Sequence, residues 1–188
     1  MCNESLLHRR VARRLLPAIS MLCLSTSTFA GPAATEPLSD AQILGIYIQV
    51  NGFDIETALL GRAQAGSEAV RNLAQHVAAD HVAVRLAAYV VAEKCKVTPA
   101  LPDERTAAAI DHARALGNLL ALNGAEFDKA YLRQEVGFHR AAIEAVKTAL
   151  VPSARCADLH AHLEAVLPAF EHHLSQTEQL AAGVGIAK

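Results

Sequence analysis

Three histidines in this chain occupy positions where the spacing of their neighbours calls for buried apolar side chains. The stripes run Val70, Ala74, Val77, His81, Val84, Ala88, Val91; then Leu132, Val136, His139, Ile143, Val146, Leu150; then Leu159, Leu163, Val166, Phe170, His173, Thr177, Leu180. Steps of three and four residues keep each set on one face of a helix. A fourth stripe, Ile43, Tyr47, Val50, Asp54, Thr57, sets a carboxylate in the same kind of slot. Burying a polar side chain without a partner costs roughly 1–3 kcal/mol, so four of them in one small core are expected to meet each other, a water or a metal. Three imidazoles and a carboxylate suit a first-row transition ion such as zinc, copper, iron or manganese, and the sequence does not rank these. Taken singly, each histidine also fits an ordinary core residue held by a neighbouring hydrogen bond.

Acids close by fit an outer layer of partners, because a ligating histidine usually donates its second ring nitrogen to a carboxylate. Glu135 precedes His139 by four residues and Asp128 precedes Glu135 by seven, so the three share a helical face. Asp80 adjoins His81, and Glu56 sits half a turn from Asp54. Asp128 also fits a first-turn acid opposing the helix dipole, and Glu56 a solvated face. Tyr131 is expected in the core with its hydroxyl bonded inside the fold. His160, His162 and His172 crowd the last helix beside His173, and solvated positions account for them. No serine–histidine–acid or cysteine nucleophile constellation is readable, nor a Gly-rich phosphate loop.

The elements that must position these groups are all helical. Ser39 followed by Gln42 is a capping-box signal for a helix over residues 40–64. Gly66-Ser67 breaks the chain, and Ser67 caps a second helix reaching Cys95. The segment Val97–Asp103 holds two prolines and reads as a loop. A third helix is expected over 104–122 with Asp103 as its cap, a fourth over 126–150 closed by Pro152, and a fifth from 154 or 158 to 182, kinked by Pro168. Short connections make successive helices antiparallel, giving an all-α bundle of four long helices plus a shorter crossing helix. At ~1.5 Å rise per residue, Asp54 and His81 both lie roughly 21 Å above the end where Cys95 sits, and His139 about 17 Å above it. By the same rise His173 comes out at roughly 22 or 29 Å, depending on where the last helix starts.

Composition sets the setting. Arg9, Arg10, Arg13 and Arg14 precede an apolar run from Leu15 to Leu24, and Thr28-Phe29-Ala30 offers a small-residue cleavage site. That order marks a secretory signal peptide over residues 1–30, cut after Ala30, with a run too short to span a bilayer. Residues 31–38 then form a lead-in, 39–182 the single domain, and 183–188 a disordered tail. Taking four arginines and one glutamate from the 17 basic and 19 acidic residues leaves 13 and 18, a net charge of −5 on the mature chain. An acidic domain without a basic patch argues against nucleic acid as a partner; a second copy of the chain or another envelope protein remains open, and the mature chain offers no transmembrane span. Only Cys95 and Cys156 remain after the leader, and in an oxidising envelope such a pair is expected to form a disulfide. The antiparallel order brings both to the same end.

Ser39-Asp40-Ala41-Gln42-Ile43-Leu44, Asn51 to Glu56, Ala79-Asp80-His81, Phe127 to Tyr131 with His139, and His173-Leu174 together resemble one bacterial envelope family, domain of unknown function 4142. Its members are labelled outer membrane proteins, and the family is similar to ferritin-like helical bundles. The resemblance covers nearly the whole mature chain. It implies an exported, ferritin-like bundle in the periplasm or envelope, with His81, His139, His173, Asp54 and Asp80 as its polar core. Ferritin-like di-iron proteins carry two Glu-x-x-His motifs, whereas here Ala78, Val136 and Phe170 stand three residues before the histidines. The expectation is therefore a metal or small ligand held in a His/carboxylate core. A metal-dependent oxidase or peroxidase and a purely structural bundle are the alternatives.

Overall fold

Ser39 starts the first helix by accepting from the Gln42 amide while the Gln42 side chain bonds back to the Ser39 amide. In the computed structural model, which describes residues 37–186, this reciprocal cap opens α1 (Asp40–Gln64). The leader expected at 1–30 and most of the lead-in lie outside the described residues. Ser67 caps α2 (Glu68–Cys95), which ends on Lys96 in the left-handed conformation with Val97 bonding back to Ala92. After the proline loop comes α3 (Arg105–Leu120), then α4 (Gly124–Ala145), α5 (Val151–Ser153) and α6 (Ala157–Gly183). Among the described residues there is no strand beyond an isolated bridge between Ala65 and Gly124. No described helix is long and apolar enough to cross a membrane.

Three boundaries differ from expectation for local reasons. Asp103 does not cap α3: the Arg105 amide already bonds to the Pro102 carbonyl and the Thr106 amide to the Asp103 carbonyl, so a backbone turn does the work of a side-chain cap. Pro152 does not stop α4 outright. Its ring excludes an ordinary α turn before it, and the chain meets it through a wider π turn, Val146–Leu150, before α5. At the far end, Gly185 adopts a positive φ and Ile186 bonds back to Ala181, a Schellman closure that seats Ile186 on the core. The described backbone thus carries this closing turn to Ile186, within the segment 183–188 expected as a tail. α6 continues through Pro168.

Two apolar cores fill the bundle. One joins Ile43, Leu44 and Tyr47 to Ala88 and Val91, Ile143 to Leu150, and Leu159 to Phe170. The other joins Ala58 and Ala65 to Val70 through Ala78, Phe127 through Leu132, and Ala181. Along every long helix the residues between these sets are the buried polar ones: Asn51, Asp54 and Thr57 on α1, His81 on α2, Glu135 and His139 on α4, His173 and Thr177 on α6. An antiparallel arrangement is what brings those four stretches to one level.

Both ends of the bundle are locked. At one, Cys95 is bonded to Cys156 with Cα atoms 5.8 Å apart, and the Asp40 carboxylate accepts from the Arg155 and Cys156 amides at 2.8 and 3.0 Å. Gly45 lets the proline loop lie on α1, since a Cβ there would stand 2.2 Å from the Ala100 carbonyl oxygen. At the other end Gly66 packs on Gly124, where a Cβ would come within 2.8 Å of backbone.

Candidate functional site

The polar layer is built from four helices. Asp54 is 1% exposed, His81 3%, His139 0%, His173 2% and Glu135 1%. Each histidine has one ring nitrogen committed to an acceptor. His81 Nδ1 lies 2.9 Å from Asn51 Oδ1, and the Asn51 amide nitrogen in turn donates to the Tyr47 carbonyl at 2.8 Å. That second bond fixes which Asn51 atom is oxygen, so His81 Nδ1 must be the donor. His139 Nδ1 donates to the Glu135 carbonyl at 3.1 Å, and His173 Nε2 donates to the Asp80 carboxylate at 2.9 Å.

The remaining ring nitrogens, His81 Nε2, His139 Nε2 and His173 Nδ1, are buried without hydrogen-bond partners among the described residues, as are both carboxylate oxygens of Asp54. In the neutral rings these nitrogens carry lone pairs. One ring nitrogen of each histidine falls within 4.8 Å of the others, and in a second, overlapping group so does one donor atom from each of Asp54, Glu135 and His139. Asp54 Oδ2 lies 2.9 Å from His81 Nε2 and 3.4 Å from His139 Nε2, at ion-pair distance but not aligned as a hydrogen bond. Phe170 stacks on the His81 ring at 5.1 Å and completes its apolar wall.

Electrostatics follow from burial and neighbours. Burial pushes the Asp54 carboxyl up, but His81 and His139 outweigh it and hold Asp54 below its ordinary value. Glu135 is raised well above its own by burial and then by the Asp54 charge, which favours its protonated form. Burial lowers His139 against the pull of Asp54, and lowers His173 against Asp80. Tyr131 is raised by burial and then by Glu135 and Asp54. Of the two buried carboxyls, Asp54 is thus held toward its ionised form and Glu135 toward its protonated form.

These directions give a pH test on metal-free protein. A group raised in the fold, Glu135, contributes stability that is complete below its unfolded pKa of about 4.3 and is lost as pH rises through the folded value. Groups lowered in the fold, His139 and His173, contribute stability present above about 6.5 and lost as pH falls through theirs. Glu135→Gln keeps a donor and removes the titration. Its melting temperature is expected to stay level on the alkaline side where the wild type falls, with the acid-side fall unchanged. An alkaline fall that persists in the variant assigns it elsewhere.

The structure gathers His81, His139, His173, Asp54, Asp80 and Glu135, and sends two expected partners away. Glu56 is exposed and pairs with His112 at 2.9 Å, because its half-turn offset from Asp54 carries it to the outer face. Asp128 is buried but accepts from the Gly66 and Ser67 amides at 2.7 and 2.8 Å, clamping the α1–α2 turn two helical turns from the site. The Tyr131 hydroxyl finds no hydrogen-bond partner among the described residues, contrary to expectation. Asn51 and Phe170 were not legible as site residues. The α1 stripe drawn through Val50 runs one position off the buried line through Tyr47, Asn51 and Asp54, and a phenylalanine on an apolar stripe carries no signal of its own. His160 pairs with Glu164, and His162 sits edge-on to Tyr47 at 5.4 Å.

A family model described as domain of unknown function (DUF4142) matches residues 24–180. Among curated proteins no match was found. Among solved structures, the chain is similar to a crystal structure of a secreted protein, DUF305, from Streptomyces coelicolor, with a TM-score of 0.67 at 16% identity over 79% of this chain and 95% of that one. That likeness is one of fold.

Proposed function

The chain belongs to the family described as domain of unknown function, DUF4142, and we propose that its role is to bind one first-row transition ion inside the bundle, through His81, His139, His173 and Asp54. The observation that carries this is the set of inward lone pairs. Each histidine is held by a hydrogen bond on its outer nitrogen, which leaves its inner nitrogen unpartnered, and those of His81 and His139 face the Asp54 carboxylate. Such atoms at 2.9–3.4 Å repel unless a proton or a metal cation lies between them, and a metal satisfies all of them at once. A tetrahedral ion with ~2.1 Å bonds spaces its ligands by roughly 3.4 Å, which these contacts approach.

Three nitrogens and one oxygen fill a tetrahedral shell, which favours holding an ion over an oxidase or peroxidase needing an open position. The outer bonds from Asn51, the Glu135 carbonyl and Asp80 fix ring orientation in the manner usual for ligating histidines. The basic and apolar pattern of the N-terminus supports export, with the bundle acting in the periplasm or envelope after cleavage at Ala30.

Elemental analysis of tag-free mature protein, stripped and then exposed singly to zinc, copper, iron and manganese, tests the proposal. One equivalent of at least one ion should survive gel filtration and be lost in His81→Ala/His139→Ala. Protein that retains none of them, or a double variant that retains as much as wild type, overturns it.

A further inference from the structure

Beside the polar layer, and independent of what the layer holds, a cleft of about 270 Å³ opens between α1, α3, α4 and α6. Its walls are apolar, with Ile46 and Val50 on one side and Phe138 and Ala142 on the other. Its floor is Tyr47, Asn51 and Phe170. Both ends of the Asn51 amide are already engaged, the nitrogen with the Tyr47 carbonyl and the oxygen with His81 Nδ1. The π turn Val146–Leu150 supplies part of the wall through Val146 and Leu150; such turns recur at functional sites, where they widen a helix locally.

One cation serves this cleft. Arg105, at the start of α3, lines it and also lines a neighbouring cleft that shares Val50 and Phe138. Its Nε is held by Gln49 Oε1 at 2.8 Å, which fixes the plane of the guanidinium. Among the described residues it forms no ion pair with a carboxylate. A guanidinium pinned on one edge with its other nitrogens uncommitted is a fork for a carboxylate.

We propose that this cleft binds a small amphipathic monocarboxylate, its head on Arg105 and its apolar tail against Tyr47 and Phe170. At ~30 Å³ per small group the space holds about nine heavy-atom groups, the size of a medium-chain acid. A dianion finds no second cation in this cleft, and a neutral alcohol leaves the guanidinium without its counter-charge.

Octanoate is the probe, titrated calorimetrically into metal-stripped full-length mature protein, so that the result does not depend on the metal centre. The expected result is saturable one-to-one binding, about tenfold to hundredfold weaker in Arg105→Gln, partly kept in Arg105→Lys, and lost in Ala142→Leu, which fills the cleft. Octanol should bind at least about tenfold more weakly than octanoate. Thermal melts of each variant confirm folding. Absent saturation in the wild type, equal affinity in Arg105→Gln, unchanged binding in Ala142→Leu, or octanol matching octanoate each overturns the proposal. Ion retention by the same preparation reports separately on the metal centre.

Discussion

Reducing the Cys95–Cys156 bridge lowers the unfolding free energy by about 4 kcal/mol. The bond joins residues 61 apart, and loop-closure entropy for a ring of that size gives about 14 cal/mol/K, or about 4 kcal/mol at 25 °C. For a domain of this length that is roughly 8–16 °C in melting temperature. The native end without the bridge keeps the Asp40 bonds to the Arg155 and Cys156 amides, so the fold should survive reduction and simply melt earlier. Calorimetry of the wild type with and without reductant, beside Cys95→Ser/Cys156→Ser, checks it. A shift under about 2 °C would mean that the unfolded chain is already held compact at that end. Ion retention should not change, because an apolar core from Ile43 to Phe170 separates the bridge from the polar layer.

How much of this was readable beforehand depends on which physics set it. Caps at Ser39 and Ser67 and the antiparallel order come from local chemistry and chain continuity, so they could be read directly. The pairing of Cys95 with Cys156 follows from their being the two cysteines left after the leader, and the helix order allows it by bringing both to one end. Boundaries set by turn geometry could not. The choice between Asp103's side chain and its carbonyl, and the π turn that accommodates Pro152, are decided by backbone paths that residue types do not state.

The site divides the same way. A polar residue on an apolar stripe is visible at once: His81, His139 and His173 stand together in the fold, and Asp54 lies against His81 and His139. Glu135 was visible only as a neighbour of His139; that its carboxyl also approaches Asp54, on a different helix, depends on the crossing of α1 and α4. Asp128 shares the helical face of Glu135, yet lies far enough along it to reach the α1–α2 turn instead. A face is shared along its whole length, whereas a site occupies one level. Asn51 was missed because the stripe on α1 was drawn through Val50, one residue away.

Metal-stripped protein given zinc at about a thousandfold excess over its dissociation constant should gain about 4 kcal/mol, by mass action on the folded state alone, and melt roughly 8–16 °C higher. The informative variant is Asp54→Asn. If the metal-free site holds neutral imidazoles, Oδ2 faces two nitrogen lone pairs; an asparagine amide can then turn an N–H toward His81 Nε2 and satisfy it. A buried carboxylate without a counter-charge is costly, and the amide removes that charge while keeping the shape. Metal-free Asp54→Asn is therefore expected to melt at or above the metal-free wild type, and to respond little to zinc. A structural ion pair between Asp54 and protonated His81 requires the reverse, a variant that melts lower and a wild type that zinc does not move. The two accounts differ in the sign of the metal-free shift, so a pair of melting curves separates them.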